Sequence, residues 1–341
     1  MTLRETMLAA MAYGGPPHVP YEPHLPWEYL QGIHSEDALA PLRDAEKRAP
    51  VYIQTIMPGP PTGWKPSSNL PAGHMETEWG AVGRMHLPYI TYSPLAGGWH
   101  LLEDYRFPDP HAPGRFNGLQ ELAEQHRRTK YLRGWAFSAL WEQVWMLRGY
   151  ENALLDLYAY PDEFTRLCEH IVTYQVGMME QFHLVGVDGI HFTDDLGTQQ
   201  DLMMPPEAWR QLLKPHYARI FEAARANGTD VWFHSDGNIR SIIEDLLDVG
   251  VKVLNPIQPG PLDIDELVAT FGRRLRYSGG IDVQQLLPFG TPEEVRAAVQ
   301  HWCGLSRSLG GGMFIAPTNL ITPETPLPNI LAYLDACAEY C

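Results

Sequence analysis

The segment VWFHSDGNIRSII, residues 231–243, sets a histidine, a serine, an aspartate, a glycine and an asparagine between an apolar run and an amphipathic stretch. His234 and Asp236 stand two apart, so on a continuing strand they point to the same side. Such a pair can share a proton, fix an imidazole tautomer or grip a metal ion. Gly237 lets the chain turn, and Asn238 can cap a helix that starts at Ile239. Capping alone is the plainer use of Asp236 and Asn238, as a structural histidine is of His234. A second acidic pair, Asp194 and Asp195, closes the run VDGIHFT. Neighbours on a strand face opposite ways, so one aspartate is expected to serve the chemistry and the other to make a turn or cap. Asp194 is assigned the catalytic place and Asp195 a substrate contact. Crowding carboxylates near His234 raises one pKa toward neutrality, which suits a general acid or base.

Elements that converge are needed to bring these residues together. VDGIHFT reads as a strand ending at the aspartates. Pro206 opens a helix whose apolar stripe runs through Trp209, Leu212, Tyr217, Ile220 and Phe221, kinked at Pro215 and stopped at Asn227-Gly228. DVWF is the next strand, ending at His234, followed by a helix with Ile239, Ile242, Ile243, Leu246 and Leu247 on one face. VKVLN ends at Asn255, with Gln258 just beyond it, and Asp263 with Glu266 caps the helix that follows. RLRYSGGID leads to Asp282, a helix starts at Thr291-Pro292, and GGMFIAP leads to Thr318 and Asn319 before a helix running from about Pro328 to the end. Strands in single file, each followed by a helix, require right-handed crossovers and a parallel sheet. No G-x-G-x-x-G or G-x-x-x-x-G-K follows any strand, which removes the open-sheet nucleotide signatures. Polar residues at nearly every strand end fit a (β/α)8 TIM barrel, which gathers those ends on one rim.

The 341 residues, 45% apolar, suffice for a large core, and the whole chain 1–341 is read as one barrel domain. Clear β/α repeats occupy 126–341. Residues 1–125, rich in Pro, Gly, Trp and His, predict an irregular N-terminal segment of turns, extended stretches and short helices. Within that segment ETEWGAVGRMH and YRFPDP suggest a lid bearing Glu78, Trp79 and Arg106. Four cysteines without a C-x-x-C pair argue against a disulfide framework or a structural zinc site. A net charge of −16 without a basic run argues against nucleic acid. No apolar stretch reaches the roughly 18 residues of a membrane span, and the start has no leader-like core, so a soluble cytoplasmic protein is expected.

From about Glu76 onward the chain resembles the uroporphyrinogen decarboxylase superfamily, in particular its methylcobamide:CoM methyltransferase-like branch. The resemblance rests on EWGAVGR, YRFPDP, GVDGIHFTDDLGTQ, KPHYARI, HSDGNI, GVKVLNPIQPG, YSGGIDVQQLLPFGTPEEVR and IAPTNLITPETPLPNI. It implies a (β/α)8 barrel with its cleft at the strand carboxyl ends. Decarboxylases of the family carry an R-Q-A-G-R segment suited to a polycarboxylate; here VYIQTIMPGPPTGW has no arginine, so porphyrinogen decarboxylation is not expected. The methyltransferase branch binds zinc through H-x-C and a later cysteine in A-P-G-C-G-I. His234 matches the histidine, while Asp236 and Asn319 replace the two cysteines.

That replacement leaves zinc open. Oxygen ligands are harder than thiolates, so a metal would be held more weakly by His234 and Asp236, with Asp194 as an added ligand, or else His234 and Asp236 act as an acid/base pair. The resemblance implies a methyltransferase (demethylase) for a small methylated compound. Its corrinoid would be free or carried by a partner protein, because no D-x-H-x-x-G cobalamin stretch occurs in the chain. Asn255, Gln258, Asp282, Asn319 and Trp79 join Asp195 as expected substrate contacts, although Asn255 and Gln258 could equally satisfy loop backbone groups. A homodimer is allowed for. A lyase or decarboxylase of a small acid is the runner-up, and a non-catalytic ligand-binding barrel the alternative outside enzymes.

Overall fold

The computed structural model describes residues 1–84 and 90–341, so Met85 and His86, which end the expected lid stretch, lie outside the described residues. Among the described residues ten strands follow in chain order. They are β1 (Ile53–Ile56), β2 (His74–Glu76), β3 (Val82–Arg84), β4 (Ile90–Tyr92), β5 (Tyr131–Ala136), β6 (Gly189–Thr193), β7 (Asp230–His234), β8 (Val253–Ile257), β9 (Arg276–Ile281) and β10 (Met313–Pro317). β2, β3 and β4 form a small antiparallel sheet apart from the rest. The other seven pair in parallel in the order β1-β5-β6-β7-β8-β9-β10.

The circle is completed from the N-terminal segment. Tyr21 bridges Ile315 of β10 in parallel, and its ring lies 6.2 Å from that of Tyr52, the residue preceding β1. Residues 20–22 thus take the place of an eighth stave, giving an α/β barrel of the (β/α)8 type.

Alternation along the strands sorts side chains between the helix layer and the barrel interior. Phe192 faces outward and packs on Phe221, with ring centroids 5.2 Å apart. Trp135, His191 and Trp232 stand in register on β5, β6 and β7 and fill the interior. Trp135 stacks on His191 at 4.3 Å and 9°, and Arg133 lies over both indoles, 5.5 Å from Trp135 and 5.2 Å from Trp232. Arg133 makes a two-pronged pair with Glu22 of the eighth stave, both N–H···O distances being 2.9 Å. Burial would raise the Glu22 carboxyl, but Arg133 and His24 outweigh it and hold that carboxyl below the usual range.

Two local features depart from the sequence expectation in detail. The helix opened by Pro206 is two helices, Pro206–Leu212 and Lys214–Arg225. Pro215 has no N–H to donate back along the chain, so the break falls just ahead of it, at Leu213. The N-terminal segment is also more regular than its composition suggests. Helices Leu3–Met11, Trp27–Ile33 and Glu36–Arg48 occupy its start, and the last packs on the C-terminal helix Leu327–Tyr340. Among the described residues no helix is long and apolar enough to cross a membrane.

The Glu22–Arg133 pair ties the eighth stave to the barrel. Arg133→Met strands a buried carboxylate and is expected to destabilise the fold by about 3–5 kcal/mol, with Glu22→Leu/Arg133→Met recovering much of the loss. Urea unfolding of the two variants beside the parent checks this.

Candidate functional site

The polar residues at the ends of β6 and β7 meet because two loops pack backbone to backbone. Gly237 sits at φ +81°, and a Cβ there would lie 2.5 Å from the Thr198 carbonyl oxygen; one on Gly197 would lie 2.7 Å from the Asn238 nitrogen. Only glycine permits this approach. Asn238 N–H donates to Thr198 O at 2.7 Å, and Leu196 N–H to Ser235 Oγ at 2.9 Å. Asp236 N–H then reaches Asp195 Oδ1 at 2.9 Å.

His234, the last residue of β7, points into this junction. Asn255 donates through Nδ2 to Ser278 Oγ at 2.9 Å, which turns its Oδ1 toward the imidazole to accept from Nδ1 at 2.7 Å. The proton of neutral His234 is therefore on Nδ1, and Nε2 presents a lone pair. It faces Asp195 Oδ1 and Asp236 Oδ1, each 3.8 Å away. Asn319 Nδ2 donates to the other Asp236 oxygen at 2.8 Å. Burial, reinforced by Asp195, raises the Asp236 carboxyl against the opposing pull of His234 and Asn319. One donor atom from each of Asp195, His234 and Asp236 lies within 4.8 Å of the others. Three acceptor atoms converge, one of them already bonded to the Asp236 N–H, in an arrangement that could hold a proton or a cation.

The structure places the two aspartates differently from the expectation: Asp195 lies beside His234 and Asp194 does not. Asp194 is fully buried. It accepts from the backbone N–H groups of Leu140 (2.6 Å), Trp141 (2.8 Å) and Glu142, and from Tyr217 Oη (2.6 Å). It caps the helix Trp141–Arg148 with both carboxylate oxygens and is shut off from solvent. Asp195 is the neighbour that faces the rim, as strand alternation demands of one of the two.

Other expected contacts are also occupied. Gln258 is buried, accepts from Gly237 N–H at 3.0 Å and donates to Gln199 at 3.4 Å. Asp282 accepts from the N–H groups of Gln284, Gln285 and Leu286, at 2.9, 3.0 and 3.2 Å, and caps a short helix. Asn255 and Asn319 touch His234 and Asp236 and so orient the cluster itself. Asn238 accepts from Arg240 N–H at 3.0 Å, in the capping use.

Glu142 was not singled out in the sequence, where an acid in a first helical turn reads as a dipole partner. Its carboxyl reaches Thr193 Oγ1 at 3.1 Å and Asp195 N–H at 3.4 Å. Burial first, then Asp194 and Asp195, push it up to about 8. Burial likewise lifts Asp194 to about 7 against its four donors. Those donors favour charge on Asp194, so the proton the pair retains sits on Glu142.

Two cavities open at this end of the barrel. One, of about 260 Å³, contains His234, Asn255, Asn319, Thr193, His24 and Trp135. His191, at its floor, is buried with neither ring nitrogen partnered among the described residues, and burial together with Arg133 holds its pKa well below the usual value. The other, of about 400 Å³, shares Trp135 and lies over β1 and β5. Trp79 and Glu78 of the expected lid line it, whereas Arg106 is exposed and Arg115 stands in its place, paired to Glu78 at 2.8 Å.

Fold and site together define an α/β-barrel protein with its polar cluster at the strand carboxyl ends. Residues 99–340 match the uroporphyrinogen decarboxylase (URO-D) family. The chain belongs to that family. It is 28% identical over 173 residues to the methylcobamide:CoM methyltransferase MtaA of Methanosarcina barkeri, and 27% over 180 residues to that of Methanosarcina barkeri strain Fusaro. Each match covers 50% of this chain and 46% of the relative, so the chain spans about half the length of these relatives. A methyltransferase from Methanosarcina mazei superposes over 100% of this chain and 99% of its own, with a TM-score of 0.64 and 19% identity, and shows the same fold.

Two outcomes are expected. Gly237→Ala forces the loops apart and should abolish the site while shifting stability by only about 1–3 kcal/mol, checked by metal titration beside thermal unfolding. The raised Glu142 and Asp194 pKa values mean that the folded state binds more protons than the unfolded one from about pH 4 to 8. Their contribution is complete below pH 4 and lost as pH rises through 7 to 8. In chelator-treated protein, stability should fall over that window, and Glu142→Gln should flatten the slope.

Proposed function

We propose that the chain is a corrinoid-linked methyltransferase acting on a small methylated compound at the rim of the barrel. The observation that carries this reading is the convergence of His234 Nε2 with the Asp195 and Asp236 carboxylates, in a chain whose named relatives are methyltransferases. The trio fits a divalent cation. An imidazole nitrogen fixed by a hydrogen bond on its other nitrogen, together with two carboxylate oxygens, is an ordinary donor set for zinc or a harder metal. When bound, such an ion would act as a Lewis acid on the group that gives up or receives the methyl.

The remaining work falls to the chain. Asn255 keeps the His234 proton on Nδ1 and the lone pair on Nε2. Asn319 fixes Asp236, and the Asp236 amide fixes Asp195. Glu142, beside Asp195, can hold a proton near neutral pH for a leaving oxygen, nitrogen or sulfur. The corrinoid comes from solution or from a partner protein.

The runner-up is a lyase or decarboxylase that uses His234 and Asp236 as an acid/base pair, favoured by the raised Asp236 carboxyl. Against it, the one arginine of each cavity is already paired, Arg133 to Glu22 and Arg115 to Glu78. A substrate carboxylate would find no free guanidinium there among the described residues.

Methyl transfer to reduced cobalamin, or to a corrinoid protein, from methoxyaromatics, methylamines and methyl thioethers is the test. Activity with one class is expected, lost in His234→Ala and reduced about 10- to 100-fold in Asn255→Ala. Elemental analysis should find near-stoichiometric metal that disappears in Asp195→Ala. Inactivity with every donor, together with carbon dioxide release from a small acid, would hand the site to the runner-up.

A further inference from the structure

The larger cavity has walls that the proposed methyl transfer leaves unused. Trp79 and Tyr174 meet edge to face across it, with centroids 4.8 Å apart at 71°, and Met146, Met178, Trp135 and Phe137 complete an apolar lining. Flat rings fit such surfaces, since aromatic edges and thioether sulfurs both pack well on a π-face. Its volume of about 400 Å³ suits a single substituted ring and excludes a tetrapyrrole.

Among the described residues the cavity offers no free charge. Its charged lining groups among the described residues, Glu78 and Arg115, are locked together, and Tyr174 Oη adds a bond to Glu78 at 2.8 Å. Arg115 Nε also donates to the Asp109 carbonyl at 2.9 Å. A carboxylate or an ammonium would enter without a counter-ion and lose its hydration. Several polar groups remain open, Thr77 Oγ1 and Trp135 Nε1 among them, and Gln143 is the unpartnered amide of the set. Gln143 is only 5% exposed and makes no side-chain hydrogen bond to any described residue, yet it lines the cavity. A buried amide in that position is satisfied by a ligand oxygen or hydroxyl. Gln143 directly follows Glu142, whose carboxyl touches the Asp195 amide and Thr193, a lining residue of the smaller cavity.

We propose that this cavity binds the methyl donor as an uncharged, monocyclic methoxyarene whose oxygen hydrogen-bonds to the Gln143 amide. Aromatic acids and methylammonium compounds are disfavoured, since the described residues offer them no free counter-charge. The word donor rests on the methyl-transfer reading; the binding preference rests on the cavity alone.

The test therefore uses binding to the purified full chain without corrinoid. Guaiacol, vanillate and benzyltrimethylammonium are titrated by tryptophan fluorescence, since Trp79 and Trp135 line the cavity, and by calorimetry. Guaiacol is expected to bind one per chain, at least about tenfold tighter than either charged probe. Gln143→Met should weaken it about tenfold, and Met178→Trp, which fills the space, should abolish it. Thermal unfolding confirms that both variants are folded. Equal or tighter binding of a charged probe, indifference of guaiacol to both variants, or no binding of any probe overturns the proposal. Failure of methyl transfer with intact guaiacol binding would instead sink only the activity.

Discussion

The contact between Gly197 and Gly237 is the constraint on which the site depends. Two loops can share a surface at backbone distance only where neither carries a side chain. Their approach brings Asp195, from the loop after β6, to the backbone of Asp236, from the loop after β7. His234 enters from the strand end between them, with Asn255 holding its far nitrogen. The result is a cluster of three acceptor atoms, from Asp195, His234 and Asp236, close enough to share one cation. Stable packing elsewhere in the chain carries this arrangement, because crowded carboxylates repel and would separate if the loops could move apart.

Beneath that cluster the barrel is unusually polar for an interior. Arg133, Glu22 and His191 lie among Trp135 and Trp232, and the charge is neutralised within the protein. The pair spends its charge on closing the barrel, linking the eighth stave to β5. Asp194 has a comparable duty one strand further on, where it anchors the helix after β5 against the end of β6. Among the described residues, both arginines of the two cavities, Arg133 and Arg115, are paired within the protein.

The carboxylate in place of a thiolate at Asp236 is compensated by tertiary structure rather than by a nearby residue. Asn319, at the second replaced position, does not become a third donor atom; it hydrogen-bonds to Asp236 and orients it. The third acceptor beside His234 and Asp236 is Asp195. In the proposed role as metal donors, these atoms would be harder than two sulfurs and an imidazole.

The sequence by itself determined the barrel. Strand periods, capped helices and polar strand ends are local signals, written within ten or so residues, and they located β6 to β10 and marked His234, Asp236 and Asn319. It also determined that one of Asp194 and Asp195 faces the rim, since alternation follows from strand geometry alone. Which of the two does so was decided only in three dimensions, by the free helix N-terminus after β5 that captures Asp194. Gln258 and Asp282 were legible as polar rim residues, but their lone pairs are claimed by backbone groups of folded loops. Glu142, Gln143, Arg115 and the Glu22–Arg133 pair carry no local signature. Glu142, Arg115 and Arg133 find carboxylate or hydroxyl partners tens to more than a hundred residues away, and Gln143 owes its role to the cavity the closed chain places beside it.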